Sequence, residues 1–316
     1  MSISTNSELP PGTMISGRTR GQQYMIQRVL GTGTNGTVYL VSALANGNLY
    51  ALKMGAYNRT LQAEIKLLFS LHKHWKETGK NQVNRYLYDA DDYEEDGLII
   101  PFYVMKYVKG QTLSNFLRSK GSEHIGKAGL GVLEILRDLH EADWVFGDLK
   151  AEHVIITDEG QVELIDYGGA SQAGRSLHQF TEWYDRKFWK AGSRTGDYAY
   201  DLFAFAVMCI KLFNEPGLQK VISTQLPQIR SSADLVTLVD QTPRLKRYAP
   251  WLKRALRGEF DSTGEAYHAW KAVSGSGVLN RYGDNGDPVT RRLKNALIWS
   301  IIILGITLLI ALFFTK

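Results

Sequence analysis

The sequence predicts an α+β protein of two lobes, the first rich in strands and the second mostly helical, followed by one C-terminal transmembrane helix. Three observations support this prediction. Runs of β-branched and aromatic residues recur between Tyr24 and Val108, helical periodicity dominates from Thr112 onward, and residues 296–315 contain no charge. Strands followed by helices, without regular alternation, are typical of α+β folds.

Local periodicity predicts the individual elements of the two lobes. In the first lobe, one amphipathic helix interrupts the strands and carries Leu61, Ile65, Leu68 and Leu71 along one face. In the second lobe, one strand pair around the turn at residues 158–160 lies among the helices.

Composition excludes several classes of protein. The chain has 316 residues, of which 44% are hydrophobic, so it can bury a core and is not disordered as a whole. Its single cysteine, Cys209, excludes a disulfide framework and a four-cysteine zinc site. One free cysteine also fits a reducing compartment.

Residues 296–315 are predicted to cross a membrane. A helix of twenty uncharged residues spans roughly the 30 Å hydrocarbon core of a bilayer. Arg291, Arg292 and Lys294 precede this helix, so the positive-inside rule predicts that the N-terminal bulk of the chain faces the cytoplasm. The N-terminus lacks the apolar stretch of a secretory signal. We therefore expect a single-pass protein of the cell membrane, anchored by its C-terminus.

Changes in composition divide the chain into five parts. Residues 1–22 are polar and contain Pro and Gly, which predicts a flexible terminus. Residues 275–295 combine Gly, Ser and Asn with basic residues, which predicts a basic juxtamembrane tether. Between them lie the two lobes, at residues 23–108 and 109–274, and the membrane helix occupies residues 296–315.

Three glycines, Gly31, Gly33 and Gly36, stand between two predicted strands. Because glycine has no Cβ, backbone N–H groups in such a loop can approach phosphate oxygens closely. A strand follows these glycines, which argues against a dinucleotide-binding fold, because that fold needs a helix there. For this pattern taken alone, an ordinary glycine hairpin is the alternative.

Lys53 lies at the end of the next predicted strand, and Glu64 on the following helix supplies a carboxylate partner. A lysine in an apolar strand is unfavourable unless it meets an anion. Asp148 and Asp166 flank one predicted hairpin, with Lys150 beside the first of them. Two carboxylates and a lysine suit phosphoryl transfer, in which one carboxylate positions the acceptor hydroxyl and the other holds a divalent cation.

Five elements follow one another along the chain: the glycine-rich loop, Lys53, Glu64, Asp148 with Lys150, and Asp166. This is the order found in the eukaryotic-type (Hanks) serine/threonine protein kinases, which the sequence resembles over about residues 24–274. The resemblance implies the two-lobe protein-kinase fold, ATP with Mg²⁺ or Mn²⁺ as cofactors, and protein hydroxyls as acceptors, including those of the chain itself. It implies nucleotide binding by Gly31, Gly33, Gly36, Val38, Lys53, Glu64, Met105 and the hinge ending at Val108, catalysis by Asp148 and Lys150, and metal binding by Asp166 and His153. Asp201 matches the family's buried aspartate, which supports the catalytic-loop backbone.

The catalytic and activation segments depart from the family pattern. Phe146 and Gly147 replace the His-Arg that precedes the catalytic aspartate, so a phosphate on the activation segment lacks its usual arginine partner. We therefore expect activity that does not depend on phosphorylation of Ser171, Ser176 or Thr181. Tyr167 replaces the usual Phe of the Asp-Phe-Gly triplet, a mild change. Residues 181–186 stand where Ala-Pro-Glu is usual, which leaves the peptide-docking surface undefined.

His153 occupies the position of the family's metal-binding asparagine. Neutral imidazole binds divalent ions but is a softer ligand than an amide oxygen, which favours Mn²⁺ or Zn²⁺ over Mg²⁺. The site is therefore expected either to prefer Mn²⁺ or to work with one well-held metal ion. A histidine that only packs or forms hydrogen bonds is the alternative.

Two other classes of function stay open. One is a kinase of a sugar or small molecule on the same fold, because Phe146, Gly147 and Asp148 resemble the His-Gly-Asp of aminoglycoside kinases. Lys150 favours the protein kinases over that class. The other is a pseudokinase scaffold that binds a partner or DNA, which His153 and the missing Ala-Pro-Glu suggest.

Positive charge is concentrated near the C-terminus. Residues 244–294 contain eleven Lys and Arg against five Asp and Glu, whereas the whole chain has a net charge of +5. Such a run is either an ordinary solvated face or a contact for an anionic partner. The candidate contacts for anionic lipid or for sequence-independent DNA binding are Arg281, Arg291, Arg292 and Lys294. This architecture resembles bacterial sporulation-associated membrane kinases, and the resemblance implies regulation by DNA.

Overall fold

The computed structural model describes residues 8–33, 36–55, 59–77, 87–177 and 181–275. The chain divides into one compact unit of residues 1–270 and a second of residues 271–316. The predicted tether from residue 276 onward and the predicted membrane helix at residues 296–315 lie outside the described residues. Within the described ranges, no helix is both long and apolar enough to cross a membrane.

A six-stranded antiparallel sheet with one helix forms the first lobe. Its strands are β1 (Met14–Ser16), β2 (Gln23–Gly33), β3 (Gly36–Ala43), β4 (Leu49–Met54), β5 (Asp89–Glu95) and β6 (Leu98–Lys106), in the spatial order β1-β2-β3-β4-β6-β5. Helix α1 (Arg59–Glu77) connects β4 to β5. Tyr24, Val41, Leu52 and Phe102 are fully buried or nearly so and form the core of this sheet.

Strand β1 differs from the expectation of a flexible N-terminus. Ile15 is fully buried, and β1 pairs with β2 in the register Ile15↔Tyr24. The carboxylate of Asp91 accepts hydrogen bonds from the backbone N–H groups of Thr19 and Arg20. One buried isoleucine and one capping carboxylate therefore attach this polar segment to the sheet.

Helix α1 buries the leucines of its predicted apolar face: Leu61, Leu68 and Leu71 are all at most 1% exposed, while Ile65 is half-buried. The same face carries Glu64, which is 2% exposed. A charged side chain on a buried face is stable only when it is paired. Its partners lie in the site described below.

The second lobe is mainly helical. Its helices are α2 (Leu113–Lys120), α3 (Ile125–Glu141), α4 (Tyr198–Thr224), α5 (Ser232–Gln241), α6 (Ala249–Arg257) and α7 (Thr263–Ser274). Its short strands are β7 (Gly110–Thr112), β8 (Trp144–Val145), β9 (Val154–Thr157), β10 (Val162–Leu164) and β11 (Ser171–Gln172). The predicted strand pair is β9 and β10, and β7 adds a third strand beside β9.

Helix α4 forms the centre of this lobe. Every residue from Tyr200 to Ile210 is buried, because a helix that is apolar on all sides must be surrounded by protein. The Phe205 ring packs edge-on against Trp251 of α6 and Trp270 of α7, at centroid distances of 5.3 and 5.1 Å. Helical geometry is interrupted at Asn214, two residues before Pro216.

Candidate active site

A cavity of about 730 Å³ lies between the glycine-rich hairpin and the segment that joins β8 to β9. Eleven of the twelve described residues predicted for nucleotide, catalytic or metal roles line this cavity: Gly31, Gly33, Gly36, Val38, Lys53, Met105, Val108, Asp148, Lys150, His153 and Asp166. The twelfth, Glu64, lies behind Lys53 and contacts it directly. The fold therefore brings together residues that are scattered along the sequence.

Lys53 joins strand β4, helix α1 and the segment after β10. Its Nζ donates to Oε2 of Glu64 at 2.8 Å and to Oδ1 of Asp166 at 2.9 Å. Burial lowers the pKa of Lys53, but the two carboxylates outweigh burial and hold that pKa above its usual value. The ammonium is therefore charged at neutral pH and held at one place in the cavity.

Tyr103 is a member of this network that the sequence did not indicate. Its hydroxyl donates to Oε1 of Glu64 at 2.8 Å, and its side chain is 1% exposed. Burial raises the pKa of Tyr103 well above its usual value, so the hydroxyl keeps its proton and acts as a donor. Strand pairing supplies the only available signal, because Tyr103 lies opposite Lys53 in the β4–β6 register.

The glycines of the β2–β3 hairpin differ in what they do. At Gly36, φ is +125° and a Cβ would lie 2.3 Å from the carbonyl oxygen of Met54, so only glycine fits. At Gly31 and Gly33, a Cβ would meet no atom within 4 Å. These two positions therefore leave open space beside the cavity, which is what close approach to a phosphate requires.

Asp148 and Lys150 lie together on the segment between β8 and β9. Lys150 Nζ donates to Oδ2 of Asp148 at 3.0 Å. Burial raises the pKa of the Asp148 carboxyl above its usual value, although the charge and hydrogen bond of Lys150 act in the opposite direction. A buried, hydrogen-bonded carboxylate with a raised pKa is suited to accept a proton.

Asp201 holds the backbone of this segment in place by hydrogen bonds. Its carboxylate is fully buried and accepts the backbone N–H groups of Phe146 at 2.7 Å and Gly147 at 2.8 Å. His140 Nε2 lies 2.9 Å from the same carboxylate. Asp201 therefore lies where the resemblance implied, beneath the backbone that carries Asp148.

Asp166 follows β10 in a left-handed conformation, with φ of 59°. Oδ1 accepts a bond from the backbone N–H of Gly168 at 3.4 Å. Burial opposes ionisation of Asp166, but the charge of Lys53 and the hydrogen bonds from Lys53 and Gly168 outweigh burial and hold its pKa below the usual value. The carboxylate is therefore ionised at neutral pH, as a metal ligand must be.

The protonation of His153 follows from its contacts. Nδ1 lies 2.9 Å from the carbonyl oxygen of Asp148, which can only accept, so Nδ1 carries the proton. Burial lowers the pKa of His153, so the ring is neutral and Nε2 bears a lone pair. This Nε2 lies 3.5 Å from Oδ2 of Asp166. Two electron-pair donors thus face each other, and a cation between them would satisfy both.

These two donors are fewer than a protein-only metal site needs. Among the described residues, no three His, Cys, Asp or Glu side chains are arranged to hold a metal ion. A cation at His153 and Asp166 would therefore take its remaining oxygen ligands from phosphates and water, as Mg²⁺ commonly does.

Two ion pairs stand where the family's Ala-Pro-Glu is missing. Arg186, which is 8% exposed, donates to both carboxylate oxygens of Asp197, at 2.9 and 2.7 Å. Arg194 Nε donates to Oδ2 of the fully buried Asp185 at 2.6 Å. Sequence reasoning missed both pairs, because partners nine or eleven residues apart in a loop carry no periodic signal.

Part of the basic run near the C-terminus is paired within the fold. Lys253 lies 2.6 Å from Asp240, Arg257 lies 3.8 Å from Glu259, and Arg254 contacts Glu265. These three cations therefore contribute little net charge to a binding surface. The predicted lipid or DNA contacts Arg281, Arg291, Arg292 and Lys294 lie outside the described residues.

Comparison with known proteins identifies similar sequences. A family model described as the protein kinase domain matches residues 24–256. The serine/threonine-protein kinase YabT of Bacillus subtilis (strain 168) is 33% identical over 260 residues, which are 81% of this chain and 73% of that protein. The human serine/threonine-protein kinase PAK 4 is 25% identical over 217 residues, which are 63% of this chain and 35% of that protein.

A solved structure, that of vaccinia related kinase 3, shares the fold. It aligns with a TM-score of 0.62 over 85% of this chain and 92% of that one, at 17% sequence identity. At that identity the likeness shows the fold alone: a β-rich first lobe, a helical second lobe and a cleft with residues from both.

Proposed function

This chain belongs to the protein kinase family, and from that premise we propose that it is a kinase tethered to the cytoplasmic face of the cell membrane. It is a serine/threonine protein kinase that uses ATP with Mg²⁺ or Mn²⁺. One observation carries the catalytic part: Lys53 binds Glu64 and Asp166 at the same time, in the cavity that Asp148 also lines.

The residues of the cavity divide the work of phosphoryl transfer. Lys53 is a fixed positive charge for the nucleotide phosphates, beside the open backbone of Gly31 and Gly33. Asp148 accepts the proton of the attacking hydroxyl, and Lys150 balances the negative charge that develops next to it. Asp166 and His153 would hold the divalent cation, which would supply positive charge to the phosphate oxygens.

Phosphate transfer by the full chain in detergent micelles tests the catalytic part. We expect label from γ-labelled ATP to appear on the chain itself and on a generic acceptor protein, on serine and threonine, with loss in Asp148→Asn and in Lys53→Ala. Label found only on small molecules would favour the sugar or small-molecule kinase. Nucleotide binding without transfer to any acceptor would favour the pseudokinase scaffold.

The membrane part of the proposal rests on the sequence. Residues 296–315 are uncharged and follow three cations, which is the pattern of a helix with its basic flank in the cytoplasm. Protease protection in membrane vesicles tests it. The kinase domain of inside-out vesicles should be digested and that of right-side-out vesicles should be protected. Recovery of the chain in the soluble fraction would contradict the tether.

The basic tether is proposed to contact phosphate groups of an anionic partner, either lipid or DNA. Arg281, Arg291, Arg292 and Lys294 carry this proposal, because several cations nearer the fold are paired with carboxylates. Three of them, Arg291, Arg292 and Lys294, directly precede the predicted membrane helix, and three cations beside an anionic bilayer add on the order of 3 kcal/mol of attraction.

Kinase rates in nanodiscs distinguish the two sources of phosphate. Phosphatidylglycerol nanodiscs are compared with phosphatidylcholine nanodiscs, each with and without duplex DNA, at 50 and 300 mM salt. Stimulation by either anion should fall with salt and should be lost in the variant with alanine at 291, 292 and 294. Stimulation that ignores salt, or that survives in this variant, would contradict the contact.

A further inference from the structure

A second cavity, of about 530 Å³, lies on the second lobe between helices α2 and α4. Polar atoms make up most of its lining, with hydroxyls, amides and charged groups around a floor that includes the buried side chain of Met208. None of the nucleotide, catalytic or metal residues described above line it. Its chemistry therefore suits a polar ligand other than the nucleotide.

The charges of this cavity are unbalanced. Arg118 of α2 and Arg244, just before α6, are exposed, line the cavity, and have no carboxylate partner among the described residues. Lys211 of α4 is already engaged, because its Nζ lies 3.4 Å from Oε1 of Glu152 and 5.5 Å from the centre of the Trp183 ring.

One carboxylate in the lining, Glu215, is also exposed and has no partner among the described residues. After the Lys211–Glu152 pair is set aside, two arginines and one carboxylate remain in the lining. Arginine presents a planar fork of donors that matches a carboxylate or a phosphate, so the excess favours an anion.

This cavity adjoins the nucleotide cleft. Thr112 and Glu152 line both cavities, and Glu152 lies on the same short segment as Asp148, four residues later. A chain that presents its hydroxyl to Asp148 can therefore reach the arginines with a neighbouring side chain. Trp183, in the segment that follows Thr181, lies next to this cavity, because its ring contacts Lys211 of the lining.

We infer that Arg118 and Arg244 select an acidic residue of the protein substrate, at a fixed number of positions from the serine or threonine that receives the phosphate. The inference rests on the proposed protein kinase activity and deepens it, because it names the class of substrate. The occupant is an extended acidic peptide segment of the substrate. The arginines are exposed, and their cavity shares Thr112 and Glu152 with the cleft that such a segment enters.

Peptide phosphorylation by the full chain in detergent micelles tests the inference. Each peptide carries one threonine in an alanine and glycine background, with Glu, Ala or Lys at one position from four before to four after it. At one or two positions, Glu should raise kcat/KM about fivefold over Ala, and Lys should lower it.

The variant Arg118→Glu/Arg244→Glu should invert this preference, so that Lys exceeds Ala and Ala exceeds Glu. The matched control, Lys120→Glu/Lys246→Glu, makes the same change of charge on neighbouring exposed residues outside the cavity and should keep the preference for Glu. Each comparison is a ratio within one variant, so a general loss of activity or stability cancels. A preference for Glu that is absent in the wild type, or unchanged in the first variant, would overturn the inference.

Binding separates failure of the inference from failure of the proposed function. Fluorescence anisotropy of a labelled Glu peptide with Ala in place of its threonine reports affinity without phosphate transfer. Tighter binding of the Glu peptide than of the Ala peptide, lost in Arg118→Glu/Arg244→Glu, would support the acidic-residue site even if no peptide were phosphorylated. Phosphorylation with no effect of acidic residues on rate or affinity would retain the kinase and reject the site.

Discussion

Nζ of Lys53 lies 2.9 Å from Oδ1 of Asp166, although 113 positions separate these residues along the chain. The same ammonium binds Glu64 of helix α1 at 2.8 Å. One lysine thus links the β-sheet, helix α1 and the segment that carries the candidate metal ligand. The charged groups of the cleft are held in place by the protein itself, which is the condition for electrostatic stabilisation of a transition state.

Variants that weaken the contacts of Lys53 and Glu64 should reduce phosphate transfer by different amounts. Glu64→Gln keeps the shape but removes the charge, so Lys53 is less firmly oriented and kcat/KM for ATP should fall by about 10- to 100-fold. Tyr103→Phe removes one neutral-to-charged hydrogen bond and should cost about fivefold, the equivalent of about 1 kcal/mol. Tyr93→Phe, on the neighbouring strand β5, is the control and should leave the rate unchanged. Equal rates for Tyr103→Phe and Tyr93→Phe would show that the Tyr103 hydroxyl does not support Glu64.

Protonation of Asp148 should set the acid limb of the pH profile. The carboxylate accepts a proton only when ionised, and burial raises its pKa. Activity should therefore fall, as pH decreases, at a higher pH than an ordinary aspartate would give. In Lys150→Ala, a cation that favours the ionised form is lost, so the acid limb of kcat/KM should move to higher pH. An acid limb that stays in place or moves to lower pH would show that another group controls it.

The chemistry of the site could be predicted from the sequence because its residues lie in short local patterns. Glycines between strands, a lysine in an apolar strand and aspartates beside a hairpin each carry a physical meaning without knowledge of partners. All twelve of the described residues predicted for nucleotide, catalytic or metal roles fall in or directly behind one cleft.

The partners of those residues could not be predicted. Tyr103 reaches Glu64 only because β6 pairs with β4, and strand order is a property of the whole sheet. Strand β1 was expected to be flexible, because three residues with one buried isoleucine give too short a pattern to recognise. The cavity between α2 and α4 likewise depends on helix packing rather than on any local motif.

Replacement of His153 should change which metal the kinase uses. The lone pair on Nε2 faces the Asp166 carboxylate, and imidazole favours Mn²⁺ over Mg²⁺ relative to an amide oxygen. In His153→Asn, the ratio of kcat/KM with Mg²⁺ to that with Mn²⁺ should rise by about tenfold. His268→Asn makes the same change at an exposed position of α7 and should leave the ratio as it is in the wild type. A ratio unaltered in His153→Asn would mean that His153 only orders the backbone of Asp148.

Activity should not require phosphorylation of Ser171 or Ser176. The activation segment is held by backbone bonds: β11 pairs with β8, and Leu177 N–H donates to the carbonyl of Arg194 at 2.9 Å. Phe146 and Gly147 replace the pair of residues that would supply an arginine to a phosphate there. Alanine or aspartate at Ser171 or Ser176 should therefore change kcat by less than threefold, measured after phosphatase treatment of the full chain. A change greater than tenfold would contradict this.

Thr181 needs a separate test, because this residue lines the cleft together with Asp148 and Lys150. A change of activity in Thr181→Ala would report on substrate contact and would not bear on phosphorylation. Thr181→Ser, which keeps the hydroxyl, should retain more activity with a protein acceptor than Thr181→Ala does.

Arg186 should stabilise the segment that replaces Ala-Pro-Glu. Arg186 is 8% exposed, and its guanidinium binds both carboxylate oxygens of Asp197 and donates to the carbonyls of Ser193 and Thr195. Arg186→Ala leaves these acceptors without their donor, so the free energy of unfolding should fall by about 3 kcal/mol. For a domain of this size that corresponds to a Tm lower by roughly 6–12 °C.

Two variants make the measurement of Arg186 specific. Arg186→Lys keeps the charge but loses the planar fork, so its Tm should lie between those of the wild type and Arg186→Ala. Arg175→Ala removes an exposed arginine from the same region and should leave the Tm within about 1 °C, because surface substitutions are usually close to neutral. If Arg186→Ala melted at the temperature of Arg175→Ala, the Arg186–Asp197 pair would not be what holds this segment, and the Asp185–Arg194 pair would be the next to remove.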